Sequence, residues 1–258
     1  MMENDQELSE HAFRLCQQLL RIDTTNPPGN ELAAAELLAG ELRAAGLEPV
    51  VLQSAPGRGN VVARLRGSGE LPPLLLTAHL DVVEAESSAW KHPPFCGEVH
   101  DGCLWGRGAI DMKNMAAMSV AIATRLAREG VEPKRDMIFA GVADEEAGCR
   151  HGSLWLCENH RDLVQSEFAI GEGGGFNIQL AGKSFFTVQV AEKGVCWVRA
   201  RATGEPGHGS MPREDSAVVQ LSEAIARLGR QGLPRHASES VEGFIAAIAS
   251  HLPAPLRP

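Results

Sequence analysis

The sequence predicts an α/β protein with a partly parallel sheet between helices, followed by a smaller α+β segment. Two observations carry this prediction. Over residues 1–182, stretches with apolar positions at helical spacing alternate with short apolar runs bounded by Gly, Pro or Asn. After residue 182 apolar and polar residues alternate one by one, as in paired antiparallel strands. We therefore expect a first domain over 1–182 and a partial second domain over 183–258.

The elements of the first domain follow from the spacing of its apolar residues. Helical spacing predicts two helices at the start, separated by a loop dense in turn formers. Short apolar runs then predict strands, and a long stretch rich in Ala and Met predicts a further helix. In chain order these are helices 7–21 and 31–45, strands 48–53, 61–65 and 74–77, helix 113–128, strand 137–142, helix 153–160 and strand 167–170.

The second domain is expected to contain one hairpin and one or two helices. Residues 185–191 and 195–202 alternate like paired strands, and Lys193-Gly194 is the expected turn. Residues 215–229 have helical spacing. So small a sheet leaves an unpaired edge, and the proline-rich ending 253–258 is typical of a linker or a truncation point. The second domain is therefore expected to be incomplete.

Composition excludes several classes of function. The formal net charge of −9 comes from 33 acidic and 24 basic residues that are interspersed, so no basic stripe is available for nucleic acid. No apolar stretch is long enough to cross a membrane, and the polar, acidic start lacks the features of a signal peptide. The six cysteines contain no C-x-x-C pair, so reduced thiols are expected. A cytoplasmic protein that binds neither nucleic acid nor membrane is the prediction.

Candidate chemistry begins directly after the strand 74–77. His79 and Asp81 are two positions apart, so in extended chain they face the same side. Asp81 could hold one ring nitrogen of His79 while the other nitrogen binds a metal. The plainer interpretation is a histidine capped by its neighbouring carboxylate.

Three further segments, at loops or strand ends, carry candidate carboxylates. Asp111, just before the helix 113–128, is either a helix N-cap or a carboxylate that bridges two cations. Asp144, Glu145 and Glu146 follow the strand 137–142 and form either a solvated acidic turn or a site in which one glutamate binds metal and another faces substrate. Glu172 lies in a glycine-rich segment after the last strand of the first domain.

Nucleotide binding is excluded by the details of two glycine-rich segments. A dinucleotide fingerprint beginning at Gly171 would need glycine where Phe176 stands, and a strand follows instead of a helix. The phosphate-loop ending suggested by 182–184 lacks its first glycine. In the second domain, His208 stands between Gly207 and Gly209, which suggests an exposed imidazole, although a lone histidine at a turn is more often incidental.

Five motifs in chain order resemble the zinc-dependent amidohydrolase family of acetylornithine deacetylase, succinyl-diaminopimelate desuccinylase, aminoacylase and glutamate carboxypeptidase. The resemblance implies a zinc-peptidase-like α/β catalytic domain with an inserted α+β lid through which two subunits dimerise. It also implies cleavage of the amide bond of N-acyl amino acids or small peptides. The motifs are 78–81, 106–113, 144–146, 171–174 and 207–210.

The same resemblance assigns a role to each residue. His79, Asp111 and Glu172 would hold one zinc ion, and Asp111 would be shared with a second zinc held by Glu146. Cobalt and manganese are alternative metals. Asp81 would orient His79, Glu145 would be the general base, and His208 would reach the active site of the partner subunit. These roles are what the family implies.

The chain departs from the family pattern in its last part. Family members contribute a final histidine to the second zinc, and no segment here matches it. The second zinc would then keep only Asp111 and Glu146, so a chain of this extent is expected to be truncated and poorly active. The alternative function is a non-catalytic module that binds metal or a partner. Retention of Glu145 favours the enzyme, because a structural metal site has no use for a spare base.

Overall fold

The computed structural model describes residues 2–173, 176–194, 196–211, 213–214 and 216–253. Two compact units emerge, Met1–Gly173 and Gly174–Pro258. The composition change after residue 182 lies inside the second unit, because a hairpin begins before it. Most of the proline-rich ending, residues 254–258, lies outside the described residues.

The first unit consists of five helices and seven strands among its described residues. The helices are α1 (Met2–Leu20), α2 (Leu32–Ala44), α3 (Lys113–Arg128), α4 (Ser153–Asn159) and α5 (Arg161–Val164). The strands are β1 (Val50–Ala55), β2 (Arg58–Leu65), β3 (Leu71–His79), β4 (Glu98–His100), β5 (Cys103–Trp105), β6 (Arg135–Val142) and β7 (Phe168–Ile170). The predicted helices and strands of this unit are confirmed, with ends shifted by a few residues. The short β4–β5 hairpin was not predicted from the sequence.

A five-stranded mixed sheet forms the centre of this unit, in the order β1-β2-β6-β3-β7. β3 runs parallel to both β6 and β7, whereas β2 runs antiparallel to β1 and β6. Because parallel strands end at the same edge of a sheet, the carboxyl ends of β3, β6 and β7 lie together. The antiparallel β2 starts at that edge, since its Val61 pairs with Gly141 near the end of β6.

Helices cover both faces of the sheet, and the alternation of side chains along each strand explains why. Val61, Leu76 and Phe139 point to the face covered by α1, α2 and α3. Val62 and Ile138, one position away, pack on the opposite face with residues of α4 and α5. The result is the three-layer α/β sandwich expected from alternating helices and strands.

The second unit differs from the prediction in its strands. It contains a hairpin of β8 (Asn177–Leu180) and β9 (Lys183–Phe186), followed by α6 (Ala217–Gln231) and α7 (Glu239–Ser250). The turn lies at Ala181-Gly182, both with positive φ, and not at Lys193-Gly194. The predicted strands 185–191 and 195–202 are therefore wrong for the residues described, apart from 185–186. The helix predicted at 215–229 is confirmed as α6.

Exposure gives the physical reason for this error. Val188, Val190 and Trp197, the apolar members of the alternating pattern, are 80%, 79% and 81% exposed. Alternation stabilises a strand only where its apolar face packs against another layer, and an isolated two-stranded hairpin is marginal. Among the described helices of either unit, none combines the length and apolar character needed to cross a membrane.

Thiol reactivity should report the packing of the first unit. All six cysteines are free thiols; Cys16 in α1 is buried, whereas Cys103, Cys157 and Cys196 are exposed. Burial raises the pKa of Cys16 to about 11, and the charge of Lys113 opposes this only in part. At about pH 8 we expect iodoacetamide to modify the exposed thiols and to spare Cys16, because the thiolate is the nucleophile. Peptide mass spectrometry that found Cys16 labelled as fast as Cys103 in native protein would contradict this packing.

Candidate metal centre

Four segments bring acidic and imidazole side chains to the carboxyl edge of the sheet. His79 is the last residue of β3, and Asp81 follows two positions later. Glu145 and Glu146 follow β6, and Glu172 follows β7. Asp111 comes from the loop before α3 and completes the group. All of these residues belong to the first unit, and the parallel pairing of β3 with β6 and β7 is what places them together.

His79 is the centre of the group. Its imidazole is buried, with Nε2 2.9 Å from Asp111 Oδ1 and 3.4 Å from Glu172 Oε2. Its Nδ1 lies 2.9 Å from the main-chain oxygen of Asp81 and 3.5 Å from Asp81 Oδ1. Since Nδ1 faces two acceptors of Asp81, it is the nitrogen that keeps its proton when Nε2 binds a metal. The sequence suggests that the Asp81 carboxylate orients the His79 ring. In the structure the main-chain oxygen of Asp81 is the nearer acceptor and contributes more to that orientation.

The Asp81 carboxylate anchors the acidic turn after β6. It is fully buried and accepts hydrogen bonds from Asn26 Nδ2 at 2.7 Å and from the main-chain nitrogens of Glu145 and Glu146 at 3.1 Å each. Burial opposes ionisation of Asp81, but hydrogen bonds from His79 and Asn26 lower its pKa below the usual value. Asp81 therefore joins the histidine and the two glutamates into one assembly.

Asp111 does not act as a helix cap. The N-cap position of α3 is Met112, no side chain caps this helix end, and the Asp111–Met112 peptide bond is cis. The Asp111 carboxylate is 65% exposed and faces His79 instead. The cap interpretation of Asp111 is therefore wrong.

Two overlapping triads have the spacing of metal ligands. Ligand atoms of His79, Glu145 and Glu172 all lie within 4.8 Å of one another, and so do those of His79, Asp111 and Glu146. An imidazole with several carboxylates is a donor set that suits zinc and other divalent ions. Five of the residues singled out in the sequence are thus brought together. The structure also includes Glu145 in a triad, whereas the family resemblance implies that Glu145 is the base.

The pKa values in this group reflect its concentration of negative charge. Burial alone would lower the pKa of His79, but Asp81, Asp111 and Glu172 together raise it to about 10. Burial, together with neighbouring acids including Asp111 and Glu145, raises the pKa of both Glu146 and Glu172. Because carboxylates crowded in this way repel one another, a bound cation stabilises them. The donor set therefore fits a metal ion.

Asp144, the first acid of the turn, belongs to neither triad. It is buried, has a φ of +66°, and forms an ion pair with Arg58 at 2.9 Å. Arg58 also pairs with buried Glu31 at 2.8 Å. Asn26 Nδ2 donates to Asp144 Oδ1 at 3.1 Å. Asn26, Glu31 and Arg58 were not predicted as site residues, because the only signal in the sequence is that Asn26 and Glu31 lie in or beside the turn-rich loop 23–29.

His208 lies in the second unit, in the segment before α6. Its side chain is exposed, and Nδ1 lies 2.7 Å from Ser210 Oγ. A short polar contact between two neighbouring residues is a local feature of the loop. The role of His208 at a partner's active site stays a prediction.

Comparison with known proteins identifies related sequences. Residues 75–248 match peptidase family M20/M25/M40. Aminoacylase-1 of Sus scrofa is 35% identical over 223 residues, which cover 84% of this chain and 53% of that protein. A probable carboxypeptidase S-like 2 of Dictyostelium discoideum is 32% identical over 165 residues, 61% of this chain and 32% of that protein. The chain therefore spans about half the length of the aminoacylases that it matches.

Solved structures share the fold. An M20 family metallo-carboxypeptidase of Sulfolobus solfataricus gives a TM-score of 0.55 at 20% identity, covering 64% of this chain and 37% of that one. Human carnosine dipeptidase 1 gives 0.53 at 17% identity, covering 64% and 39%. At these identities the similarity concerns the fold, and it confirms the α/β class.

Proposed function

The chain belongs to peptidase family M20/M25/M40, and from this premise we propose that it is a two-zinc hydrolase that cleaves amide bonds in N-acyl amino acids or small peptides. The single observation that supports this proposal best is the position of His79. Its imidazole faces carboxylates from three other segments at the carboxyl edge of the sheet, where α/β proteins place their ligands. The similarity to aminoacylase-1 favours small acylated amino acids as substrates.

The proposed ligands are those that the family resemblance implies, and the short distances from His79 to Asp111 and Glu172 support them. His79 Nε2, Asp111 and Glu172 would hold one zinc ion, and Asp111 would be shared with a second ion held by Glu146. Cobalt and manganese suit the same donors. When bound, the two ions would lower the pKa of water toward neutrality and polarise the scissile carbonyl.

The other residues act through position and proton transfer. Glu145 would accept the proton of the attacking water at its carboxylate and deliver it to the leaving amine. Its main-chain nitrogen is fixed by Asp81, and its side chain is 39% exposed, so the carboxylate stays accessible to a substrate. Asp81 would keep the proton of His79 on Nδ1. His208 is proposed to act in a homodimer, and the cytoplasmic location is likewise a proposal.

Metal removal tests the proposal. We expect the 258-residue chain to bind Zn²⁺ and to unfold at a lower temperature after treatment with a chelator. An ion present at about 100 times its Kd stabilises the folded state by about 2.7 kcal/mol. For activity, the protein encoded by the complete gene is used. We expect it to release the free amino acid from N-acetyl amino acids only when metal is present. Mass spectrometry of the products and metal analysis measure both effects.

Two results would contradict the proposal. Unfolding temperatures that are equal with chelator and with Zn²⁺ would refute a metal centre. A full reading-frame product that holds zinc tightly but hydrolyses neither N-acetyl amino acids nor dipeptides would favour the non-catalytic module. Mg²⁺ is a suitable control ion, because its preference for oxygen ligands makes poor use of the imidazole.

A further inference from the structure

Asn26 occupies a position where one side-chain amide contacts two of the loops that build the candidate metal centre. It is 5% exposed and lies in the loop between α1 and α2. Its Nδ2 donates to Asp81 Oδ2 at 2.7 Å and to Asp144 Oδ1 at 3.1 Å. Its main-chain nitrogen donates to Val82 at 2.9 Å, which fixes the loop against the segment after β3. Both amide hydrogens are thereby used, one for each carboxylate.

Each of these carboxylates holds a different part of the centre. Asp81 contacts His79 Nδ1 and accepts hydrogen bonds from the main-chain nitrogens of Glu145 and Glu146. Asp144, the first residue of the same turn, accepts a hydrogen bond from the main-chain nitrogen of His151 at 3.1 Å. The amide of Asn26 therefore ties the end of β3 to the start of the glutamate turn.

Charge explains why a neutral amide suits this position. Glu31, Asp81 and Asp144 are three buried carboxylates, and Arg58 is the guanidinium that contacts Glu31 and Asp144. Arg58 pairs with Glu31 and Asp144, whereas Asn26 Nδ2 is the donor that Asp81 and Asp144 share. A shared donor lets two buried carboxylates approach one another, which mutual repulsion would otherwise prevent.

We propose that Asn26 is a positioning residue of the metal centre, which sets the distance between His79 and the turn that carries Glu145 and Glu146. This proposal rests on the proposed function, because it assumes that these residues bind metal. A buried asparagine with satisfied hydrogen bonds can also serve stability alone. If Asn26 positions the centre, loss of its amide weakens metal binding in protein that remains folded. If it serves stability alone, metal affinity of the folded protein stays unchanged.

The test compares Asn26→Ala with Thr24→Val in the 258-residue chain. Thr24 is fully buried in the same loop, and its Oγ1 donates to the main-chain oxygen of Leu80 at 2.6 Å rather than to a carboxylate. Thr24→Val therefore removes a buried hydrogen bond between the same two segments and keeps the side-chain shape. Zn²⁺ affinity is measured by competition with a chromophoric chelator, and the unfolding temperature of the metal-free form is measured in parallel.

We expect Asn26→Ala to weaken Zn²⁺ binding about 10-fold, the lower end of the range typical for a lost partner of a metal ligand, because Asn26 acts on His79 through Asp81. Thr24→Val should change the affinity less than about threefold. Equal Zn²⁺ affinity of wild type and Asn26→Ala would overturn the proposal. So would an equal loss in both variants, because it would show a general destabilisation. A wild-type chain that binds no Zn²⁺ would overturn the proposed function as well, so the two failures are distinguishable.

A second variant, Asn26→Ser, keeps the proposal testable if Asn26→Ala folds poorly. Asn26→Ser keeps one donor and a small side chain, and a single hydroxyl hydrogen cannot serve both carboxylates. We expect it to weaken Zn²⁺ binding in the same direction and by a smaller factor. If neither variant folds, Asn26 has a structural role and the positioning proposal is overturned.

Discussion

Substitution of Glu145 by glutamine is expected to lower kcat by about 10²- to 10⁴-fold, the range typical of a lost general base. Glutamine keeps the shape of the side chain but cannot accept the proton of water. The Glu145 carboxylate lies 4.0 Å from His79 Nε2, and its main-chain nitrogen is held by Asp81. Since the substitution leaves that main-chain contact in place, KM should change little. Steady-state kinetics on the entire reading-frame product measures this split.

Metal analysis of the same variant decides between two roles of Glu145. The carboxylate also belongs to a triad with His79 and Glu172, so its geometry permits a ligand as well as a base. If Glu145 is the base, Glu145→Gln keeps near wild-type zinc, whereas the matched variant Glu146→Gln loses part of it. Loss of an equivalent of zinc from Glu145→Gln, with zinc retained by Glu146→Gln, would show that the two glutamates have exchanged roles.

His79→Ala is expected to have the largest effect on metal binding, weakening Zn²⁺ affinity by more than about 100-fold and reducing turnover to background. His79 belongs to both triads, and it is the only imidazole in either of them. Its removal leaves carboxylates crowded around an empty volume and takes away the contact to Asp81. Zinc per chain after dialysis and the rate of hydrolysis are the measurements.

His11→Ala is the matched control for this variant. His11 of α1 also faces a carboxylate, that of Glu41 in α2, at 3.1 Å, but it lies outside both triads. The control should therefore keep its zinc. Zinc content in His79→Ala equal to that of His11→Ala would show that the metal is held elsewhere.

Much of the candidate site could be predicted because the relevant signals are local. An apolar strand followed directly by polar residues identified His79, Glu145 and Glu146 as strand-end positions. Parallel strands place such ends at one edge, so proximity followed from fold class. The family resemblance then selected Asp111 as a ligand, whereas the local sequence by itself favoured the cap interpretation.

The buried network behind the site could not be predicted in the same way. Arg58 reaches Asp144 because β2 runs antiparallel to β6 and begins where β6 ends, and no periodic pattern in the sequence specifies that neighbour. Asn26 lies in an irregular loop, where residue type indicates a turn but not its destination. In the second unit, the alternating residues gave the wrong strands since packing, and not alternation itself, decides which segments pair.

The origin of the candidate ligands in four separate segments has a consequence for folding kinetics. β3 must pair with both β6 and β7 before His79, Glu146 and Glu172 can meet, and parallel pairing of distant segments forms late. A divalent ion held there would stabilise contacts that are absent from the folding transition state. Such an ion would slow unfolding and leave the refolding rate almost unchanged. The site would then lengthen the lifetime of the native protein without guiding the chain toward it.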